Sequence, residues 1–520
     1  MHELTIQQLS LQHAQVAVIG AGTMGIGIAQ LAAMHGHATQ VYDVEIKRVH
    51  QALETLRLQL KKRVDTGKMT KVLFDQTFAN LSVASDISHL KDANLVIEAI
   101  VENKEIKQAL FKNLADICGP HTIFASNTSS ISITAIAATI PHPERVVGLH
   151  FFNPAPLMKL VEVIGGLKTS NTVCDALIDL MHLWHKVPVR AKSTPGFIVN
   201  RIARPYYAEG FRVLQENVST PEQLDFIMRE CGRFSMGPCE LTDLIGQDIN
   251  FSVTKSVYDA FYYEPRYRPS LVQQELVDAG CLGRKSGQGF YDYCRVDAKK
   301  HDELPVCPIK FTQTLNVLIK GDWSHSTAFI ENIKKSTHLN LAFEAADTAE
   351  ILIGSISLRL SLGQSVEIDY PNQKVVLMDW HGDWHNAQAI PVTASPSCSA
   401  QDQKHIELFF MSINVIPIWS HDHPGLYVLR TIAMLVNEGC EAVLHNVATE
   451  QDIDLAMKYG VNYPKGPFQW ANEIGYNTIL QTLKNLYRIY GEERYRPNLY
   501  LLKKAAQGQV QLNQPLYAAS

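Results

Sequence analysis

The sequence predicts a multidomain α/β chain: a doubly wound parallel sheet, a helical domain, a degenerate small α/β domain and a second copy of the helical domain. Three observations carry this. An apolar strand near the N-terminus ends on glycine and opens a helix. Short β-branched runs then alternate with helical stretches. Finally, TPGFIVNR at 194–201 returns as HPGLYVLR at 423–430. The expected domains are residues 1–192, 193–296, 305–420 and 421–520.

Bulk properties agree with a large globular protein. The 520 residues exceed what one core organises, and 46% hydrophobic with 19% charged residues is ordinary for folded domains. Lys and Arg total 47 against 52 Asp and Glu, a net charge of -5. That balance offers no footprint for nucleic acid or an anionic membrane and favours a small-molecule substrate. The N-terminal stretch lacks the basic start and apolar run of a leader, and no later stretch approaches ~18 uninterrupted apolar residues. A cytoplasmic location is expected. Nine cysteines without a C-x-x-C pair suit reduced thiols, and no metal site is implied.

The first element reads Val16-Ala17-Val18-Ile19-Gly20, a buried strand by its β-branched content. Gly20, Gly22 and Gly25 form G-x-G-x-x-G, with Met24, Ile28, Leu31 and Ala32 at helical spacing behind. Such glycines permit a tight turn, close approach of a pyrophosphate, and close packing of helix on strand. The helix N-terminus then faces the phosphates. A second strand pattern, residues 38–42, delivers Asp43 at the ~20-residue distance where an acid bonds ribose hydroxyls. This points to a Rossmann-type domain holding NAD, since the acid repels the extra phosphate of NADP. Lys47 and Arg48 stand nearby.

Residues 94–99 continue the alternation. After Phe124, the cluster Ser126, Asn127, Thr128, Ser129 and Ser130 falls at a strand's carboxyl end, suiting a ligand crevice or an ordinary helix cap. In GLHFFNPAPLMKLVEV, His150 and Glu162 lie in two apolar runs joined by an Asn-Pro turn. A carboxylate returning to the imidazole would fix its tautomer and raise its basicity, as a general base for an alcohol requires; otherwise His150 is a core histidine and Glu162 a strand-end surface acid. STPGFIVNR then starts a helix with Asn200 on it, placed to bond a reacting oxygen or the backbone at a domain junction.

Taken together, GAGTMG, SNTSS, GLHFFNP, MKLVEV, TPGFIVNR, MGPCELTDLIG and GRKSGQGFY, between about residues 14 and 293, resemble the 3-hydroxyacyl-CoA dehydrogenase family. The resemblance implies His150 as catalytic base, Glu162 as its orienting partner, and Ser129 and Asn200 as donors to the substrate oxygen. It places Gly20, Gly22, Thr23, Met24, Gly25, Asp43, Glu102, Lys107, Asn127 and Asn153 around NAD, and an acyl-CoA in the substrate role. The basic run Lys61, Lys62, Arg63, Lys68 and Lys71 is either a contact for coenzyme A phosphates or a solvated face.

The repeat continues beyond its first motif. Glu209 and Gly210 match Glu438 and Gly439, Asn217 matches Asn446, and Asp225 matches Asp454. Gly246 matches Gly475, and Arg-Tyr-Arg-Pro at 266–269 recurs at 494–497. Asn200 corresponds to Leu429 and Glu240 to Gln469, so the second copy reads as structural. In single-copy relatives the helical domain makes the dimer contact; a second copy would cover that face within one chain, and a homodimer or homo-oligomer stays open. Residues 305–420 lack G-x-G-x-x-G and read as a nucleotide fold without cofactor, or a linker domain of similar shape. This layout resembles the two-copy 3-hydroxyacyl-CoA dehydrogenases of phenylacetate breakdown, which act on 3-hydroxyadipyl-CoA; Arg201 or Arg204 is the expected receiver of its terminal carboxylate.

Overall fold

The computed structural model describes residues 11–294 and 314–512. The expected boundaries at 296 and 305 and the first ten residues lie outside that range. Two compact units are present: residues 1–201 with 445–461, and residues 202–444 with 462–520.

The first unit is organised by eight strands: β1 (Val16–Ile19), β2 (Thr39–Tyr42), β3 (Leu81–Val83), β4 (Leu95–Glu98), β5 (Ile123–Ser126), β6 (Val146–Phe151), β7 (Leu160–Gly165) and β8 (Val187–Lys192). Their order is β3-β2-β1-β4-β5-β6-β7-β8, all parallel except the antiparallel β6–β7 pair. β1, β4, β5 and β6 are buried along their whole length, as their β-branched sequences require of strands covered on both faces. The chain leaves β1 toward β2 on one side and returns to β4 on the other, so a crevice opens beyond the carboxyl ends of β1 and β4. Helix Thr23–Met34 covers one face through Ile28, Leu31 and Ala32, and helix Asn171–Leu183 adds Val173, Leu177 and Leu180. A helix from the second helical copy, Glu450–Gly460, packs on β7 and β8. A Cβ on its Gly460 would sit 2.6 Å from the Leu160 Cδ2 methyl, so a larger residue there requires this leucine to shift.

The second unit holds a seven-stranded sheet: β9 (Leu315–Lys320), β10 (Leu339–Glu344), β11 (Glu350–Ile353), β12 (Ile356–Leu360), β13 (Val375–Met378), β14 (Ala389–Ala394) and β15 (Ile416–Trp419), in the order β10-β9-β11-β12-β13-β14-β15. The pairings β12–β13 parallel, β13–β14 antiparallel and β14–β15 parallel reproduce β5 through β8. The register carries over residue for residue, since Leu149 opposite Val163 becomes Met378 opposite Val392. The helix Ala400–Met411 stands where Asn171–Leu183 does. Phe197 and Leu426 share positive φ values of 48° and 50°, and Asn217 and Asn446 share 55° and 54°. The repeat seen in the helical domains therefore reaches back through the sheet. It fails at β11, which occupies the place of β4 but runs antiparallel to β9, so the crevice of the first sheet has no counterpart.

In this register Asp379 takes the position of His150, and Pro391 that of Glu162. The Asp379 carboxylate is fully buried and accepts from the amides of Tyr427 (2.9 Å), Val428 (2.7 Å), Leu429 (3.0 Å) and Trp380 (2.7 Å). Burial pushes its pKa up to about 6, the four amides restraining the rise. Replacing it by alanine strands those donors. Asp379→Ala is expected to cost about 2–4 kcal/mol in urea unfolding while leaving turnover per folded molecule unchanged, which a denaturation series and an active-site titration would check.

Candidate active site

The glycine-rich turn sits at the crevice. Gly20 has φ +105°, and a Cβ there would lie 2.4 Å from the carbonyl oxygen of Ala99. A Cβ on Gly22 would meet nothing within 4 Å, so this glycine leaves open space rather than relieving an internal clash. Gly22 also caps helix Thr23–Met34 without any side-chain bond, so the first amides of Thr23 and Met24 face that space. Asp43 closes the other wall: one oxygen accepts from the Ala21 amide (2.8 Å), the other from the Glu45 amide (3.0 Å). An open cradle, a helix N-terminus and a fixed acid fit the pyrophosphate and ribose of a dinucleotide.

Beyond β4 lies a polar network that the sequence only partly announced. Glu98, fully buried, accepts from Lys107 Nζ (2.6 Å), Ser126 Oγ (2.6 Å) and the Ile100 amide (2.7 Å). Lys107 is 1% exposed and also lies 3.3 Å from Glu102. Glu102 gathers the hydroxyl loop: one of its oxygens accepts from Thr128 Oγ (2.5 Å), Ser130 Oγ (2.9 Å), and the amides of Ser129 (3.1 Å) and Ser130 (3.2 Å). Burial pushes this carboxyl up, but Thr128, Lys107 and Ser130 outweigh it and hold it below the ordinary range. Glu98 was not anticipated; the signal was available in an acid that terminates a wholly apolar strand.

The second cluster is built on the β6–β7 hairpin, which sets His150 directly opposite Glu162. Nδ1 of His150 lies 2.7 Å from one Glu162 oxygen. The other oxygen accepts from the amides of Ile198 (3.0 Å) and Val199 (3.1 Å), where the helix Val199–Ile202 begins. His150 is 6% and Glu162 1% exposed, with Phe152 and Phe197 beside the imidazole ring. With Nδ1 committed to the carboxylate, Nε2 is the nitrogen left for a substrate proton. Asn200 follows Val199 on that short helix. Asn127, whose Oδ1 accepts from the Phe151 amide (2.8 Å), ties the hydroxyl loop to the strand that bears His150. Asn153 is exposed at the start of the hairpin connection, which the buried Lys186 anchors by donating to the carbonyls of Ala155 and Met158.

Other expected groups stand elsewhere. Lys61, Lys62, Arg63, Lys68 and Lys71 are exposed. Arg201 and Arg204 are interior side chains, 1% and 5% exposed; Arg204 donates to Thr254 and lies over the Tyr207 ring. Both side chains lie within the helical packing. Among the described residues no helix is long and apolar enough to cross a membrane.

Comparison with known proteins gives a consistent pattern. The family description "3-hydroxyacyl-CoA dehydrogenase, NAD binding domain" matches residues 15–194, and its C-terminal domain matches twice, at 196–293 and 425–515. A "3-hydroxybutyryl-CoA dehydrogenase reduced Rossmann-fold domain" matches 358–424, in accord with a nucleotide fold that has lost its cofactor crevice. The chain is 46% identical over 490 residues to the 3-hydroxyadipyl-CoA dehydrogenase of Escherichia coli (strain K12), covering 94% of this chain and 97% of that protein. It is 40% identical to the 3-hydroxybutyryl-CoA dehydrogenase of Clostridioides difficile over 279 residues, 54% of this chain and 99% of that one. Among solved structures, a 3-hydroxybutyryl-CoA dehydrogenase from Escherichia coli K12 superimposes with a TM-score of 0.85 at 42% identity, covering 96% of this chain and 99% of that chain.

The open space at Gly22 separates folding from cofactor binding. Gly22→Ala is expected to leave Tm within about 2 °C and to weaken NAD at least about tenfold, near 1.4 kcal/mol. Calorimetric titration with NAD and a melting curve on the same sample check both halves.

Proposed function

The chain belongs to the 3-hydroxyacyl-CoA dehydrogenase family, an NAD-dependent enzyme class, and on that premise we propose that it oxidises 3-hydroxyadipyl-CoA to the 3-oxoacyl thioester, as in phenylacetate catabolism. The carrying observation is the 46% identity to a 3-hydroxyadipyl-CoA dehydrogenase, extending through the degenerate sheet and second helical copy that the shorter relatives lack. NAD would be held by Gly20, Gly22, Thr23, Met24, Gly25 and Asp43 with Glu102, Lys107, Asn127 and Asn153 around it, and when bound it would accept the hydride from C3. His150 takes the 3-hydroxyl proton at Nε2. Glu162, 2.7 Å from Nδ1, stabilises the imidazolium so formed and prevents the ring from turning. Ser129 and Asn200 donate to the substrate oxygen as its charge changes. In the reverse direction the same imidazolium returns its proton to the ketone.

A second reading has one specific support, because the solved Escherichia coli neighbour is described as a 3-hydroxybutyryl-CoA dehydrogenase. Rates of NADH formation with 3-hydroxyadipyl-CoA, 3-hydroxybutyryl-CoA and free 3-hydroxybutyrate separate the possibilities. We expect kcat/KM for the adipyl thioester to exceed that for the butyryl thioester, and no turnover of the free acid. Equal rates on both thioesters would sink the adipyl assignment, and silence on both would sink the reaction class. His150→Ala should lose about 10²–10⁴ in kcat, and Glu162→Gln should retain binding while losing most of kcat.

A further inference from the structure

The repeated Arg-Tyr-Arg-Pro sequences take no part in this chemistry, yet they lie at the contact between the two helical copies in the second unit. There, helix Arg204–Gln215 packs on helix Val428–Leu444. The links cross. Tyr267 Oη donates to Glu438 (2.6 Å), and Tyr495 Oη to Glu209 (3.1 Å). Arg266 likewise pairs with Glu438 (3.2 Å).

The repeat makes two places beside these links equivalent, and their contents differ. The first is closed by its own side chains. Asn498 caps helix Leu499–Leu512 by accepting from the Leu501 amide (2.9 Å), and its Nδ2 donates to Asn437 Oδ1 (2.9 Å). Glu441 lies 3.9 Å from Arg266. At the second place Ala208 stands for Asn437, Arg212 for Glu441, and Ser270 for Asn498. Two smaller residues leave a cavity of about 210 Å³, lined by Arg212, Arg268, Ser270, Arg494, Glu216 and Glu492. One acid has become a base, so three guanidinium groups face two carboxylates. Arg212 holds both acids, donating to Glu216 (2.7 Å) and to both oxygens of Glu492 (2.9 and 2.6 Å).

One polar group at this cavity is left over. Ser270 occupies the N-cap position of helix Leu271–Asp278 but makes no cap bond, and its Oγ is buried without a partner. Arg494, 7% exposed, has its Nε 2.9 Å from a Glu492 carboxylate oxygen, so this guanidinium is held at the cavity wall by the same acid that Arg212 holds. A spare hydroxyl, a helix N-terminus and a net positive wall are what an oxyanion requires.

We propose that this cavity binds a small oxyanion, a phosphate or the carboxylate of a short diacid, held by Arg268, Arg494 and Ser270. The anion would span the two copies, joining the Arg-Tyr-Arg-Pro turn of one to that of the other. By mass action it would then stabilise the chain against unfolding. This site is independent of the assignment of substrate.

Binding of inorganic phosphate and of succinate to the full chain tests it, with saturating NAD filling the dinucleotide site and ionic strength held constant with chloride. Wild type is expected to bind one of the two with a Kd below about 1 mM and to show a rising Tm. Ser270→Asn, which rebuilds the filled counterpart, and Arg268→Gln, at an exposed side chain, are each expected to weaken binding at least about tenfold, with unchanged turnover. Response to phosphate alone or to succinate alone identifies the anion class. No saturable binding by wild type, or equal affinity in wild type and Arg268→Gln, overturns the proposal. The Arg268→Gln arm stands even if Ser270→Asn fails to fold.

Discussion

A single buried carboxylate organises the catalytic end of this molecule. Glu162 divides its two oxygens, one toward His150 Nδ1 and one toward the amides of Ile198 and Val199. Burying such a group is costly unless every lone pair finds a donor, and here three donors from two separate elements converge on it. The consequence reaches beyond the imidazole. The helix that carries Asn200 starts at the amides Glu162 holds, so the proposed base and one proposed oxygen donor are positioned by the same group. The β6–β7 register is equally constrained, because a one-residue slip would turn Glu162 to the opposite face and break both links.

The second copy shows what this constraint reduces to when chemistry is removed. Asp379 stands in the histidine's position and binds the helix start directly, through Tyr427, Val428 and Leu429, where Glu162 reached the same backbone from the neighbouring strand. A shorter acid on β13's end does the structural half of the task. With Pro391 opposite and Leu429 in place of Asn200, the counterparts of the proposed base's carboxylate partner and of one proposed oxygen donor are apolar. The helix N-terminus still needs an acceptor, and that requirement alone explains why an acid persists in so apolar a setting.

The glycine turn, Asp43 and the helical repeat were legible, because each depends on local spacing: strand period, turn chemistry or a matching string; spacing left the contact of His150 with Glu162 open, and only the family resemblance implied it. The reduced sheet was legible only in outline. Its kinship to β5–β8 rests on strand register and on shared backbone angles at Phe197 and Leu426, while the residues themselves have diverged to Asp379 for His150 and Pro391 for Glu162. Spacing could not reveal that Arg201 and Arg204 turn inward, since a helix in the middle of a packed domain buries residues on every side. Nor could it show Glu98, whose partners Lys107 and Ser126 arrive from other elements.

The polar network around Glu98 and Glu102 links the residues proposed for the cofactor to one proposed for the substrate. Lys107 and Glu102 stand together in the sequence-based expectation for NAD, yet their surroundings are unequal: the Lys107 side chain is 1% exposed and the Glu102 side chain 39%. Drawing Lys107 to a ligand would leave Glu98 in the interior without its cation, held only by the Ser126 hydroxyl and the Ile100 amide, at a substantial cost. Glu102 can accept a further bond without such a loss, because its charge is already balanced by Lys107 from behind. In this reading Lys107 contributes by fixing Glu102, and Glu102 fixes the loop of Thr128, Ser129 and Ser130. In the proposed mechanism a dinucleotide approaching Glu102 would meet the group that accepts from the Ser129 amide, linking cofactor binding to the proposed donor to the substrate's oxygen.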